Sequence, residues 1–189
     1  IEKPLYDEIK KILFHPSFAW FWLETPTKTI EESKIDISCF NNTVYHIGNQ
    51  NQTHLKLFNF FDNAISIMAK KHDFNFTKLF RIRIGLLPRK QYNIINQPHI
   101  DHEEPHNTML IYFSTCDAPT LLYENIFNIK QRAELNSVQY YKKYKNEFVV
   151  KKKIQSIENT AVVFDGMRYH SSSFPTNIDR RIVATINFE

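Results

Sequence analysis

The chain has 189 residues, 42% of them hydrophobic and 23% charged, a composition that suits one globular domain and excludes wholesale disorder. Its 24 Lys and Arg against 20 Asp and Glu leave a net charge of +4, short of the footprint of a dedicated nucleic-acid binder. Only three glycines occur, which excludes Gly-rich phosphate loops and argues against nucleotide-dependent kinases and Rossmann dehydrogenases. The longest apolar stretch, around Phe18–Leu23, is too short to span a bilayer, so no membrane partner is expected. No secretory pattern opens the chain, although the start at Ile1 rather than Met leaves a removed leader open. Cys39 and Cys116 are too few for a disulfide framework, and a reducing cytoplasm is the expected compartment.

Taken in order, Leu5–Phe14 carries Leu5, Ile9, Ile12 and Leu13 at helical spacing and is closed by His15-Pro16. Phe18–Gly48 reads as irregular, with Pro26 and Asn41-Asn42 as breakers. A second helix is expected from about Thr53 to His72, its stripe being Leu57, Phe58, Phe61, Ala64, Ile65 and Met68. From Leu79 the period switches to two. Strands are expected at Leu79–Leu87, Pro98–Asp101, Asn107–Phe113, Thr120–Tyr123, Val149–Gln155, Thr160–Phe164, Arg168–Ser171 and Arg180–Phe188, with a hairpin-type turn at Asp165-Gly166. Gln131–Lys145 reads as a helical insertion. Lys142, Lys143, Lys145, Lys151, Lys152 and Lys153 around Tyr140, Tyr141 and Tyr144 read as a solvated face, with a basic groove for an acidic or polynucleotide substrate as the second reading. The whole is a mainly β chain: a jelly roll, or double-stranded β-helix, buttressed by N-terminal helices. Residues 1–78 form a helical support region, and 79–189 a catalytic core with an insertion at about 125–145, in one domain.

The chemistry concentrates in His99, Asp101, His170 and Arg181. In an extended segment His99 and Asp101 point to one side, about 7 Å apart at Cα, so an imidazole and a carboxylate can converge on one metal. A second imidazole from another strand completes a two-His-one-carboxylate set with open coordination positions, the arrangement non-haem Fe(II) oxygenases use. With eight histidines present, an HxD alone is weak; its order with the later pieces is what adds weight.

Pro98-His99-Ile100-Asp101, the strand Thr108–Tyr112, the run Ala161-Val162-Val163-Phe164-Asp165-Gly166 leading to His170, and the final Arg180-Arg181-Ile182-Val183-Ala184-Thr185-Ile186-Asn187-Phe188 together resemble the Fe(II)/2-oxoglutarate-dependent dioxygenases, in particular their prolyl-hydroxylase-like branch. The resemblance covers about Leu79–Glu189. It implies that His99, Asp101 and His170 ligate Fe(II), and that Arg181, helped by Tyr112, binds the distal carboxylate of 2-oxoglutarate. It implies O₂ as co-substrate and ascorbate as an optional reductant. Where the family often has Gly-Gly, this chain has Ala118-Pro119-Thr120.

Alternation in the last strand separates the two arginines. Arg180 shares a face with Ile182, Ala184, Ile186 and Phe188, which suits packing on the helices; Arg181 shares the other with Val183, Thr185 and Asn187, which suits a cavity. A guanidinium there can hold a carboxylate with two parallel hydrogen bonds. The same alternation puts Thr108, Leu110 and Tyr112 on one face and Met109, Ile111 and Phe113 on the other.

The remaining candidates read blandly. His102 and His106 are expected as solvent-facing loop residues; with His99 they imitate zinc spacing, but Pro98 and Pro105 break the helix such a site needs. Arg81 and Arg83 read as a solvated strand edge, with substrate contact as the second reading. His15, His46, His54 and His72 read as surface residues. Cys116 has no base near it in sequence, and Ser171-Ser172-Ser173 lacks the glycines of a nucleophile elbow.

The expected function is hydroxylation of an aliphatic C–H with decarboxylation of 2-oxoglutarate to succinate. A prolyl or other peptidyl substrate comes first, an amino acid or small metabolite second. The alternatives are a cupin-like metal-binding jelly roll that does not use 2-oxoglutarate, and a catalytically silent binding module. The cavity mouth is expected to be bordered by Lys90–Gln97, His102–His106 and a gating 125–145 segment, bringing Tyr92, Asn93, Asn96, Tyr140, Tyr141 and Tyr144 to the substrate.

Overall fold

A computed structural model describes residues 1–24, 38–48, 54–128, 130 and 135–189. Helix α1, Lys3–Leu13, begins with a proline in its first turn and ends with Lys10 and Lys11 at its carbonyl end, both favourable placements. Helix α2, Leu55–His72, closes on Asp73 in the left-handed region (φ 50°), whose N–H bonds the Ala69 carbonyl. Both amphipathic stripes face one sheet: Tyr6, Ile9 and Leu13 from α1, and Leu57, Phe61, Ala64, Ile65 and Met68 from α2, are buried.

That sheet has six antiparallel strands. They are β1 (Phe21–Leu23), β2 (Cys39–His46), β3 (Leu79–Pro88), β4 (Asn107–Tyr112), β7 (Ala161–Asp165) and β9 (Arg180–Phe188), in the order β1-β2-β3-β9-β4-β7. A second sheet of three strands, β5 (Cys116–Ile126), β6 (Val150–Ser156) and β8 (Arg168–Ser171), runs β6-β5-β8. The two inner faces enclose a cavity, giving the double-stranded β-helix that the strand spacing predicts. Helix α3, Ser137–Tyr144, with an Asn136–Gln139 capping box, is followed by a short 3₁₀ turn.

The two faces of β9 and β4 pack against different partners. Ile182, Ala184, Ile186 and Phe188 of β9 and Met109 and Ile111 of β4 join the helices in the main core, where Phe113 stacks on Tyr6 with ring centroids 5.2 Å apart. Leu110, Tyr112 and Val183 lie on the inner side in a second cluster. The outer face is therefore apolar and covered, which leaves the inner face free to be polar.

Three expectations are corrected. Asn41-Asn42 does not break the chain: it lies within β2, paired to Gly85 and Ile84 of β3, so two strands lie in the region read as irregular. Pro26 and the 25–37 segment lie outside the described residues, as do Thr53 and the start of the expected 131–145 insertion. Pro98–Asp101 is not a strand but an extended segment tied to β8 by one bridge, His99 to His170. Asp165-Gly166 does not close a hairpin, because β7 and β8 belong to different sheets; it carries the chain from one sheet to the other. A Cβ on Gly166 would lie 2.3 Å from the His106 ring, so close approach, rather than turn geometry, selects glycine there.

Candidate active site

The bridge between His99 and His170 is made by two backbone bonds, 3.0 and 2.9 Å long. It brings together residues from the HxD segment and from the opposite sheet, and the ring centroids come within 4.6 Å. One ligand atom from each of His99, Asp101 and His170 can be chosen so that all lie within 4.8 Å of one another. The Nδ1 of His99 faces the Gln97 carbonyl at 3.1 Å and that of His170 faces the Arg168 carbonyl at 3.2 Å. A carbonyl only accepts, so each Nδ1 carries a proton, which leaves Nε2 as the nitrogen that can serve a metal. Burial and the neighbouring His170 hold the His99 pKa down to about 3, against Asp101 and the Gln97 carbonyl, so its lone pair is free at neutral pH.

Asp101 is oriented from behind. Arg81 donates to its Oδ1 at 2.6 Å, and the Asn187 amide donates to its Oδ2 at 3.0 Å. Arg81 is itself fixed by a 3.0 Å bond from its Nε to the Asn187 Oδ1. Burial pushes the Asp101 pKa up, but Arg81, with His170, His99 and Arg83 in support, holds it well below the usual carboxylate range. Oδ2 lies 3.6 Å from the His170 Nε2. Two imidazole nitrogens and a carboxylate oxygen thus lie around a common space, a donor set that a cation placed between them would satisfy. A neutral-nitrogen, anionic-oxygen donor set fits Fe(II), with coordination positions to spare.

The other end of the cavity belongs to Arg181. It is fully buried, at 0% exposure, and donates from Nη2 to the Thr120 hydroxyl at 2.8 Å and from Nη1 to the Ser173 carbonyl at 3.4 Å. Its guanidinium carbon lies 5.5 Å from the Tyr112 ring centroid. Tyr112 donates to the same Thr120 oxygen at 2.9 Å. The Arg181 Nε has no partner, and among the described residues no carboxylate bonds to Arg181 or shifts its pKa. A cation so placed lacks a counter-charge that an anionic ligand would bring. Arg180 is exposed, its guanidinium over the Phe14 ring at 5.3 Å.

One cavity joins the two ends, and His99, Asp101, His170, Thr120 and Arg181 all line it. Three residues that hold this geometry escape the sequence reading: Arg81, Asn187 as a partner of Asp101, and Thr120. Arg81 and Arg83 do not form a solvated edge, because β3 lies between β2 and β9. His106 is buried, with its Nδ1 bonded to the Glu104 carbonyl, while His102 is exposed. His54 is half-buried, stacked on Phe18 and 3.3 Å from the Asn42 amide. The described part of the expected gate is elsewhere: Tyr140, Tyr141 and Phe148 pack on Tyr169 and Tyr123, behind the three-stranded sheet. Side chains alternate along β8, so Tyr169 faces away from the cavity that His170 lines.

No family model matches the chain, and no curated protein matches it. Solved structures do. The chain resembles a prolyl hydroxylase from Trichoplax adhaerens in complex with a hypoxia-inducible-factor peptide fragment, at 12% identity and a TM-score of 0.53, over 98% of this chain and 79% of that one. It resembles the non-haem α-ketoglutarate-dependent epimerase SnoN from nogalamycin biosynthesis at 9% identity and a TM-score of 0.63, over 100% and 74% of the two chains. It also resembles a 2OG-Fe(II) oxygenase family oxidoreductase from Burkholderia pseudomallei at 10% identity and a TM-score of 0.56, over 97% and 76%. The fold is that of the Fe(II)/2-oxoglutarate oxygenases. Among the described residues, no helix is long and apolar enough to cross a membrane.

Proposed function

We propose that this chain is an Fe(II)- and 2-oxoglutarate-dependent oxygenase that hydroxylates an aliphatic C–H of a peptidyl, prolyl or amino-acid substrate. The observation that carries the reading is Arg181, a buried cation without a carboxylate, at the far end of the cavity that holds the His99, Asp101 and His170 donors. A cupin-like site that does not use 2-oxoglutarate gives Arg181 no task.

His99, Asp101 and His170 would hold the iron, and Arg181 would take the distal carboxylate of 2-oxoglutarate. Bound together, these groups supply oxidation by O₂: a C–H becomes C–OH while 2-oxoglutarate is split into succinate and CO₂. The chain's own share is placement. The Thr120 oxygen accepts from both Tyr112 and Arg181, which leaves its proton free to donate to the same carboxylate. Arg81 keeps Asp101 ionised, Arg81 and Asn187 aim it, and the two backbone carbonyls hold the proton of each imidazole on Nδ1.

The test is anaerobic titration of the Fe(II)-loaded protein with 2-oxoglutarate. A weak visible charge-transfer band is expected, and Arg181→Ala should require far more 2-oxoglutarate to produce it. An Fe(II)-loaded protein that gives no band would sink the proposal.

A further inference from the structure

The inner face of β3 presents Arg81, Arg83, Gly85 and Leu87 in alternation, opposite Asn187, Thr185, Val183 and Arg181 of β9. Arg81 is committed to Asp101. Arg83 lines the cavity with His99 and Asp101, and no hydrogen bond or ion pair holds its guanidinium among the described residues. Gly85 places no side chain between it and the Arg181 end, and a Cβ there would meet nothing nearer than 3.9 Å. Across the strand pair, Asn41 of β2 sits opposite Gly85 and lines the same cavity. Its side-chain amide likewise has no hydrogen-bond partner among the described residues.

The charges around the cavity do not cancel. Asp101 is the only carboxylate among the described lining residues, and Arg81 answers it. Two carboxylates of 2-oxoglutarate would balance the two charges of the metal, which leaves Arg181 and Arg83 in excess. Arg181 would be engaged at the far end by the distal carboxylate; Arg83, two residues along β3 from Arg81, lines the cavity with the His99, Asp101 and His170 donors, near which the substrate's C–H would have to come. Burial and Arg81 lower the Arg83 pKa, while Asp101 and Cys39 raise it; a facing anion would relieve both penalties.

We propose that Arg83, seconded by the Asn41 amide, is the substrate-reading residue, and that the substrate carries a carboxylate close to the carbon that is hydroxylated. A fork of guanidinium donors beside an amide suits that group. A free amino acid and the C-terminus of a peptide both offer it. The inference rests on the oxygenase reading above.

The experiment measures succinate release by the Fe(II)- and 2-oxoglutarate-loaded protein. The probes are the twenty L-amino acids, a set of Ala-Ala-Xaa tripeptides, and the carboxamide of each. At least one free-acid probe should stimulate release with its amide at least tenfold weaker, and which series responds separates the two sources. Arg83→Gln should cut that preference to threefold or less by raising KM for the acid, and Arg83→Lys should restore part of it. The 2-oxoglutarate concentration that half-develops the charge-transfer band should stay unchanged in both variants. Amides as effective as acids, no stimulation by any free acid, or Arg83→Gln acting on Fe(II) or 2-oxoglutarate affinity instead would overturn the assignment. Absence of the charge-transfer band in the unaltered protein would instead count against the oxygenase reading itself.

Discussion

The two ends of the cavity are built on opposite plans. At the metal end the ligand set is answered within the protein: Asp101 faces Arg81 and Asn187, and each imidazole Nδ1 faces a backbone carbonyl, with Arg83 beside them as the one cation left over among the described lining residues there. At the other end Arg181 has a hydroxyl, a carbonyl and a ring around it, but no carboxylate among the described residues. The first end is organised by folding alone. The second keeps a buried cation short of its counter-ion, a cost that folding bears and ligand binding recovers. Deleting the charge of Asp101 and that of Arg181 should therefore act on the apo protein with opposite sign.

The largest effect is expected at Asp101. Asp101→Ala should abolish Fe(II) binding and succinate production, and should lower apo stability by about 2–3 kcal/mol, because Arg81 is left in place without its partner. Denaturant unfolding and metal titration read the two consequences separately. Full turnover in this variant would remove Asp101 from the ligand set.

Arg181 tests the other half of the comparison. Arg181→Ala should weaken 2-oxoglutarate binding by about 2–4 kcal/mol while leaving Fe(II) affinity nearly unchanged. The isosteric Arg181→Met should raise apo stability by about 1–2 kcal/mol, since it removes a desolvated cation and refills its volume. Arg180→Ala, at the exposed neighbour, should do neither. A large stability loss in Arg181→Met would mean that the guanidinium serves the fold rather than a ligand.

How much of this was legible depended on what each residue faces. The periodic strands β4 and β9 could be read because one face is apolar and covered by helices, so alternation carries the inside-outside distinction. The same rule pointed Arg181 inward. It failed where polarity has two meanings. Asn41 and Asn42 look like breakers, yet Asn41 lines the cavity and the Asn42 amide donates to the Ala19 carbonyl at 2.9 Å. Arg81 and Arg83 look solvated for the same reason, since a charge facing a polar cavity leaves the same trace in sequence as one facing water. His106 was misread because its burial comes from Gly166, far along the chain. The bridge that joins His99 to His170 is likewise non-local, and no spacing announces it.

The residue missed at the metal end gives the next prediction. Arg81→Met keeps the stem and removes the charge behind Asp101. Metal affinity should fall by about 10- to 100-fold, the usual consequence of losing a partner that orients a ligating carboxylate. The 2-oxoglutarate requirement, measured at saturating metal, should move much less. Equal losses of both would mean that the two ends are not separable as drawn.

The smallest effect is expected at Tyr112, and it sharpens the comparison within the anchor itself. The Tyr112 hydroxyl and the Arg181 Nη2 share the Thr120 oxygen as acceptor, at 2.9 and 2.8 Å. Tyr112→Phe removes one donor but leaves Arg181 in place, so 2-oxoglutarate binding should weaken by only about 0.5–1.5 kcal/mol. Thr120→Val should cost more, because it strands a buried phenol and an arginine N–H at once and removes a hydroxyl aimed at the ligand. If the two hydroxyls act through one network, the double variant Tyr112→Phe with Thr120→Val should be weaker than Thr120→Val alone by less than the Tyr112→Phe loss. Additive losses would instead place Tyr112 in direct contact with the carboxylate, independent of Thr120. The isotherms of the four proteins in this cycle decide between a tyrosine that touches the co-substrate and one that positions its neighbour.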